Sequence, residues 1–429
     1  MAARSALWLQ LRTSVARWGF APLLVLGLAI LFGRSRFWIG IWPETGAAAQ
    51  ISAFFVSVFA AGLAAWIAAA VELRGLHEQE AAAAIRPVTI ELTRFAAALS
   101  WLVAPYLLVA AVAFATTAAT IFPPGVSTFF QYVLLGLTTI IFGTAWGWLV
   151  GKLLAPLVAA ICAALSWFIA TSLLEASTQL TRVSGPPWFE LHLDSIAVRL
   201  AAVALFAVAV CALPARTVRP ALFGRRVAVA VLALAGIVAA HLTTTVVSYR
   251  APVAEPLCIQ RTIEYCLWPE HEKYVPMIEE LDREVAALPV ELELPDRVVD
   301  YALSGSTQWI DEYTARELPG RFDPEFDISE GSRWGLARGV ASAILGTVFA
   351  DCEPQAEPDP ERRWNQLFAW LEWRLAGGGA PDYRTNAPAD LQAAWAVGRD
   401  VADASSGQDQ AAWASTLIAE VKEHHRCAG

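Results

Sequence analysis

Four of the six cysteines lie in the C-terminal part of the chain, where they could form disulfides. They are Cys258, Cys266, Cys352 and Cys427, whereas Cys162 and Cys211 lie in apolar segments. Paired cysteines are typical of domains held outside the cytoplasm. Of the three possible pairings, we favour a short local loop between Cys258 and Cys266. The other pair, Cys352 with Cys427, would then tie down the C-terminus; four free buried thiols are the alternative.

Motifs for ATP hydrolysis and for common hydrolases are missing from the sequence. Its single Gly-Lys pair, Gly151-Lys152, is followed by Leu153 where a phosphate-binding loop needs Ser or Thr. No H-E-x-x-H or G-x-S-x-G motif occurs. We therefore expect no enzymatic activity, no cofactor and no metal. His271 and the pair His424-His425 are possible metal ligands, but surface histidines are common.

Charge divides the chain into two parts. Residues 1–250 hold 16 Lys or Arg and 8 Asp or Glu, a net charge of +8; residues 251–429 hold 15 and 32, a net of −17. The whole chain is 56% hydrophobic and only 17% charged, below the roughly 25% typical of soluble proteins. Two bodies in two environments are indicated, and the acidic one argues against nucleic-acid binding. The 28 arginines against 3 lysines indicate a GC-rich bacterial genome.

Seven segments are apolar enough to cross a bilayer, which takes about 20 residues each. They are Trp18–Gly33, Gln50–Val71, Phe95–Thr117, Thr128–Gly151, Leu153–Leu174, Ile196–Leu213 and Val227–Val247. The predicted fold is an all-α membrane protein with about seven transmembrane helices and a mainly α C-terminal domain. The predicted domains are an interfacial helix (1–17), a transmembrane domain (18–248) and an extracytoplasmic soluble domain (249–429).

The first span is the weakest of the seven, because Arg34 and Arg36 interrupt it before apolar character resumes at Phe37–Trp42. A tilted helix with its arginines reaching to the interface explains this pattern. A signal peptide cleaved near Ala47-Ala48-Ala49 is the alternative, although secretory apolar regions are shorter.

Positive charge orients the spans in a cell membrane, since cytoplasmic loops carry the excess of Lys and Arg. With the N-terminus inside, the cytoplasmic segments hold eleven basic residues, against four on the outer side. The domain after Tyr249 is therefore predicted to be extracytoplasmic, in agreement with its cysteines.

The predicted spans have few ionisable residues that could couple transport to an ion gradient. Glu72, Glu175, Asp194 and Arg199 fall at or near helix ends, and His241 is the titratable group well inside a span. We expect no buried ionisable pair in the spans, and we expect His241 to serve packing. Energy for any transport would come from elsewhere.

Three short features could carry function. Leu7, Leu11, Val15 and Trp18 form a helical stripe typical of an interfacial helix. The loop Glu72–Arg94 contains a helix-forming run that ends at Pro87. In the fourth span, glycines at helical spacing predict close packing, within the chain or across a dimer seam; they are Gly136, Gly143, Gly147 and Gly151.

The C-terminal domain is predicted to be mainly α from its apolar spacing. Helices are expected at about 270–288, 331–349, 360–375, 389–404 and 409–425, with a break at Gly377–Pro381. Val290–Leu294 alternates apolar and acidic residues, which predicts a short strand or an extended linker.

The sequence resembles the permease subunits of bacterial export-type ABC transporters, in particular actinobacterial versions with an extra span and an extracytoplasmic domain. The likeness covers roughly residues 1–290 and rests on loose motifs: Gly62–Trp66 running into Glu72–Gly75, Arg86-Pro87, Trp101–Tyr106, Gly147–Gly151 followed by Pro156, and the stretch from Cys258 to His271.

This resemblance implies a coupling loop that contacts a separate ATP-binding subunit. That role would fall on Glu72, Arg74, Glu78, Glu80 and Arg86, although the loop has few basic residues. The resemblance also implies a segment that re-enters the membrane at Glu175–Asp194, and a second permease subunit in a homo- or heterodimer. The expected function is thus ATP-driven export; the alternative is a non-transporting membrane protein whose outer domain binds or senses a ligand.

Overall fold

The chain folds into two compact units, Met1–Tyr249 and Arg250–Gly429. The computed structural model describes residues 2–73, 86–173, 182, 184–213, 220–309, 315–317, 322–328, 331–352, 358–378 and 388–424. Each unit has its own core, so each is described separately.

Seven helical segments in the described part of the first unit are long and apolar enough to cross a membrane. They are Val15–Phe32, Trp42–Val71, Pro87–Thr120, Val126–Leu153, Pro156–Leu173, Leu193–Cys211 and Arg226–Thr243. The prediction of seven apolar helices of spanning length is confirmed. In a bilayer, a long apolar segment satisfies its backbone hydrogen bonds by forming a helix.

The N-terminal region is more broken than predicted. Helix α1 (Ala2–Thr13) is followed by a 3₁₀ turn (Val15–Gly19), helix α2 (Phe20–Phe32) and the one-turn helix α3 (Ser35–Trp38). The single tilted helix through Arg34 and Arg36 is therefore wrong; the chain turns there, held by a bond from the Trp38 indole to the Leu31 carbonyl (2.8 Å). The predicted stripe is also divided between two elements, since Leu7 and Leu11 lie in α1 whereas Val15 and Trp18 lie in the 3₁₀ turn.

Four long helices form the centre of the first unit: α4 (Trp42–Leu73), α5 (Pro87–Thr120), α6 (Val126–Leu153) and α7 (Pro156–Leu173). Helix α4 packs most extensively on α6 and also contacts α5 and α7. Ala47 and Ala49 are fully buried inside α4, so the segment considered as a cleavage site belongs to the helical core.

Two further helices, α8 (Leu193–Cys211) and α9 (Pro220–Thr243), complete the first unit. A two-stranded antiparallel sheet joins β1 (Phe189–Leu191) to β2 (Val247–Tyr249). Ahead of β1, the buried segment Gly185–Trp188 packs on the start of α4, in the region where a re-entrant segment was expected; residues 174–181 and 183 lie outside the described part.

The helices run alternately, so the first unit has two ends. The near end is defined by the start of α2, the end of α4, the start of α5 and the α6–α7 junction. The far end carries β1, β2 and Tyr249, where the chain leaves the unit.

The second unit combines helices with a sheet that the sequence analysis did not predict. Its four-stranded sheet has the order β3 (Leu257–Gln260), β4 (Glu264–Leu267), β5 (Arg297–Asp300), β8 (Glu325–Phe326), with β3 antiparallel to β4 and the other pairs parallel. A separate hairpin pairs β6 (Thr307–Trp309) with β7 (Ala315–Glu317). Residues 290–294 form no strand.

Helices contribute most of the regular structure of this unit. A 3₁₀ helix (Pro269–Tyr274) leads into α10 (Val275–Ala286), and α11 (Arg333–Val348), α12 (Pro358–Ala376), α13 (Ala389–Ala404) and α14 (Gly407–His424) follow. Their bounds agree with the predicted helices to within a few residues. The four-stranded sheet adds a β part to a domain that was predicted to be mainly α.

Candidate functional site

A buried charge cluster lies at the near end, between α5 and α6. The carboxylate of Glu91 accepts hydrogen bonds from Lys152 Nζ (2.9 Å), Arg94 (3.0 Å) and the Trp148 indole (3.2 Å). Glu91 is 5% exposed and Lys152 is 3% exposed. A buried charge is tolerated only when it is paired and hydrogen-bonded, so this Glu91 cluster ties the two helices together.

The positions of these residues follow from simple helix geometry. Pro87 starts α5 after Arg86, and Glu91 lies one turn further on. Lys152 and Trp148 are four residues apart on α6, so both point from one face. Phe95 packs edge-on against Trp148, with 5.3 Å between ring centroids, which shields the cluster on its inner side.

The cluster overturns the expectation that the spans hold no buried ionisable pair. The predicted third span begins at Phe95, whereas the helix begins eight residues earlier and takes in Glu91. Two signals were present in the sequence: Lys152 is one of only three lysines in the chain, and Glu91 stands alone in an apolar stretch after Pro87.

The predicted coupling loop is described only at its two ends. Glu72 belongs to the last turn of α4, and Arg86 is exposed directly before α5. Arg74, Glu78 and Glu80 lie outside the described residues. Helix α4 ends at Leu73 and α5 begins at Pro87, on either side of the undescribed residues 74–85.

The glycine row of α6 packs inside the chain. A Cβ on Gly143 would lie 2.8 Å from the Ser57 carbonyl of α4, and one on Gly147 or Gly151 would overlap the α4 backbone. Gly136 faces the hydroxyl of Tyr106 on α5. Because only glycine leaves room for so close an approach of the two backbones, α4 and α6 form a closely fitted pair.

His241 and Arg199 belong to one structural arrangement near the far end. Arg199 is fully buried and donates to Thr244 Oγ1 (3.0 Å) and to the His241 carbonyl (3.1 Å), near the end of α9. A cation at a helix C-terminus satisfies the free carbonyls there. His241 Nδ1 bonds the Ile237 carbonyl at 2.9 Å, a local contact that fits the packing role expected for it.

In the second unit, Cys258 and Cys266 are bonded to each other, as predicted, with an S–S distance of 2.01 Å. They face each other on adjacent strands, β3 and β4. Cys352 is also disulfide-bonded, and Cys427 lies outside the described residues. Cys162 and Cys211 are free thiols.

His271 is buried rather than on the surface. Its Nδ1 lies 2.5 Å from the Asp300 carboxylate, and the same carboxylate accepts the backbone N–H of Trp268 (3.4 Å) and of Tyr301 (2.8 Å). Both side chains are at most 1% exposed. The His271–Asp300 pair joins the 3₁₀ helix to the end of β5 inside the core. Of the pair His424-His425, His424 ends α14 and His425 lies outside the described residues.

No known protein family, curated protein or solved structure matches this chain.

Proposed function

We propose that this chain is the membrane-spanning permease subunit of an ATP-driven, ABC-type exporter. The observation that carries the proposal is the Glu91 cluster, because it lies where the candidate coupling segment enters α5. A transporter driven by a separate ATPase needs a rigid connection from that contact into its spans.

Force applied to the segment 72–86 would reach two helices directly, since α4 ends and α5 begins beside it. Helix α4 is fitted to α6 through Gly147 and Gly151, and α5 is fastened to the same helix through Glu91 and Lys152. The three helices would then move together as a rigid group, which is how packed helices transmit motion.

An external source of energy is consistent with the rest of the chain. The sequence has no phosphate-binding loop, and His241 and Arg199 are engaged in local contacts. The proposed partners are a separate ATP-binding subunit and a second permease subunit, as a homo- or heterodimer, in a bacterial cell membrane.

The first test is capture of the native complex from membranes under mild detergent, followed by reconstitution with any ATPase that copurifies. Replacing Glu78 and Glu80 with glycine should loosen the coupling segment and lower stimulated ATPase activity, while membrane insertion stays normal. Glu423→Gly, an exposed change in the last turn of α14, is the matched control and should have no effect.

The second test concerns the connection itself. Glu91→Gln keeps the size of the side chain but removes the charge that holds Lys152, so ATPase stimulation should fall without loss of ATPase binding. Unchanged activity in both variants, or activity with no ATPase present, would contradict the proposal. It would favour the alternative function, a membrane protein whose second unit binds or senses a ligand.

A further inference from the structure

The second unit contains a cavity of about 720 Å³. It lies between β8, the turn after β5, and helices α11, α12 and α13, and this volume falls within the range of about 300–1,000 Å³ typical of small-molecule sites. Nothing in the transport proposal uses it.

Aromatic side chains form two sides of the cavity. On α12, Trp364 stacks on Phe368, with 5.1 Å between ring centroids and 9° between planes. Trp395 of α13 and Tyr301 after β5 add further rings. Trp364, Trp395 and Tyr301 are half-buried, and such rings offer their π faces to a ligand.

The opposite side of the cavity, on α11 and its N-cap residue Ser332, has small residues beside the longer Arg338. Ser332, Gly335, Gly339 and Ser342 line it. Gly339 is required there, because a Cβ would lie 2.5 Å from Phe326 Cα in β8. The tight packing of α11 on β8 and the small side chains along this face leave the space beside the aromatic rings open.

Two carboxylates give the cavity its chemical preference. Glu325 and Asp327 line it, and the carboxylate of Glu325 is oriented by the hydroxyl of Ser304 at 2.5 Å. Burial, and next these two carboxylates, raise the pKa of Tyr301, which places their negative potential beside an aromatic ring. Arg338 also lines the cavity and offsets one of the two charges.

We infer that this cavity binds an organic cation, an amine or quaternary ammonium attached to an apolar body. The aromatic rings would take the apolar body and the face of the cation, and Glu325 and Asp327 would take its charge. The net charge of −17 on residues 251–429 would attract such a ligand from a distance. The inference holds whether or not the protein transports.

The test uses the full chain in lipid nanodiscs and phenethylammonium as the probe, with binding followed by saturation-transfer NMR. Two probes of similar size are its controls: 3-phenylpropanoate carries the opposite charge, and 2-phenylethanol carries none. Saturable binding is expected for phenethylammonium only, and it should be absent from empty nanodiscs.

Variants assign the binding to the cavity. Glu325→Gln still accepts the Ser304 hydrogen bond but lacks the charge, and Trp364→Ala removes a ring; each should weaken binding by about fivefold or more. Ser342→Phe fills the cavity and should abolish binding. Asp400→Asn removes an equal charge from an exposed position on α13 and should leave the affinity unchanged.

The inference is overturned if the anion or the alcohol binds as tightly as phenethylammonium. It is equally overturned if Glu325→Gln behaves like Asp400→Asn, or if Ser342→Phe retains the binding of the folded wild-type protein. Folding of each variant is checked by its unfolding temperature.

Discussion

Removing Lys152, one of the two cations in the Glu91 cluster, should destabilise the first unit strongly. Lys152→Met keeps the length of the side chain but leaves the buried Glu91 carboxylate with Arg94 and Trp148 alone. Breaking a buried ion pair by removing one partner costs about 3–5 kcal/mol. Because two hydrogen bonds remain, we place the cost at the lower end, about 3 kcal/mol.

The second substitution in this experiment, Glu91→Leu, removes the carboxylate that pairs with Lys152. In the double variant Glu91→Leu/Lys152→Met, neither Glu91 nor Lys152 is left buried without the other, so the loss should be clearly smaller than the sum of the two single losses. A coupling of about 2 kcal/mol or more is expected, because most of each single loss is the burial of an uncompensated charge.

Unfolding of the detergent-solubilised protein, followed by size-exclusion chromatography after heating, measures this effect. A loss of 3 kcal/mol should lower the unfolding temperature by about 6–12 °C for a unit of this length. As a control, Arg86→Met changes an exposed cation at the start of α5, the helix that carries Glu91. It should shift the free energy of unfolding by no more than about 0.5 kcal/mol.

The reasoning is refuted if the single variants melt like the wild type, or if the two single losses simply add in the double variant. Either result would mean that the Glu91–Lys152 pair does not couple α5 to α6. The rigid link on which the proposed transport function depends would then be absent.

Three further predictions concern packing, the disulfide and topology. Gly147→Ala should prevent α4 and α6 from closing and lower the yield of folded protein, whereas Gly236→Ala, which has nothing within 4 Å of its Cβ position, should melt like the wild type or slightly higher. Replacing Cys258 and Cys266 with serine should cost the second unit about 2–3 kcal/mol, and peptide mapping without reductant should recover the linked peptides; recovery of both cysteines as alkylated thiols contradicts the bond. A tag after Gly429 should be accessible from outside intact cells, and a tag that is reached only after permeabilisation would reverse the proposed orientation.

The number of spans could be predicted from the sequence because it depends on a local property. A run of about 20 apolar residues forms a helix in a bilayer whatever its neighbours are. The helices of the second unit were predictable for a similar reason, since the spacing of apolar residues along α13 and α14 defines one buried face. The bond between Cys258 and Cys266 was also within reach, because only eight residues separate them.

Contacts between distant segments were decided only by the tertiary structure. Glu91 and Lys152 are 61 residues apart, and nothing in either local sequence says that the two helices place them face to face. The strands β4, β5 and β8 are two to four residues long, too short for a clear alternation, and they are stabilised by pairing with one another. The cavity beside Trp364 depends on elements from four parts of the chain. The apolar pattern that predicts a helix depends on neighbouring residues of the chain. The ion pair, the strand pairing and the cavity form only when segments far apart in sequence come into contact.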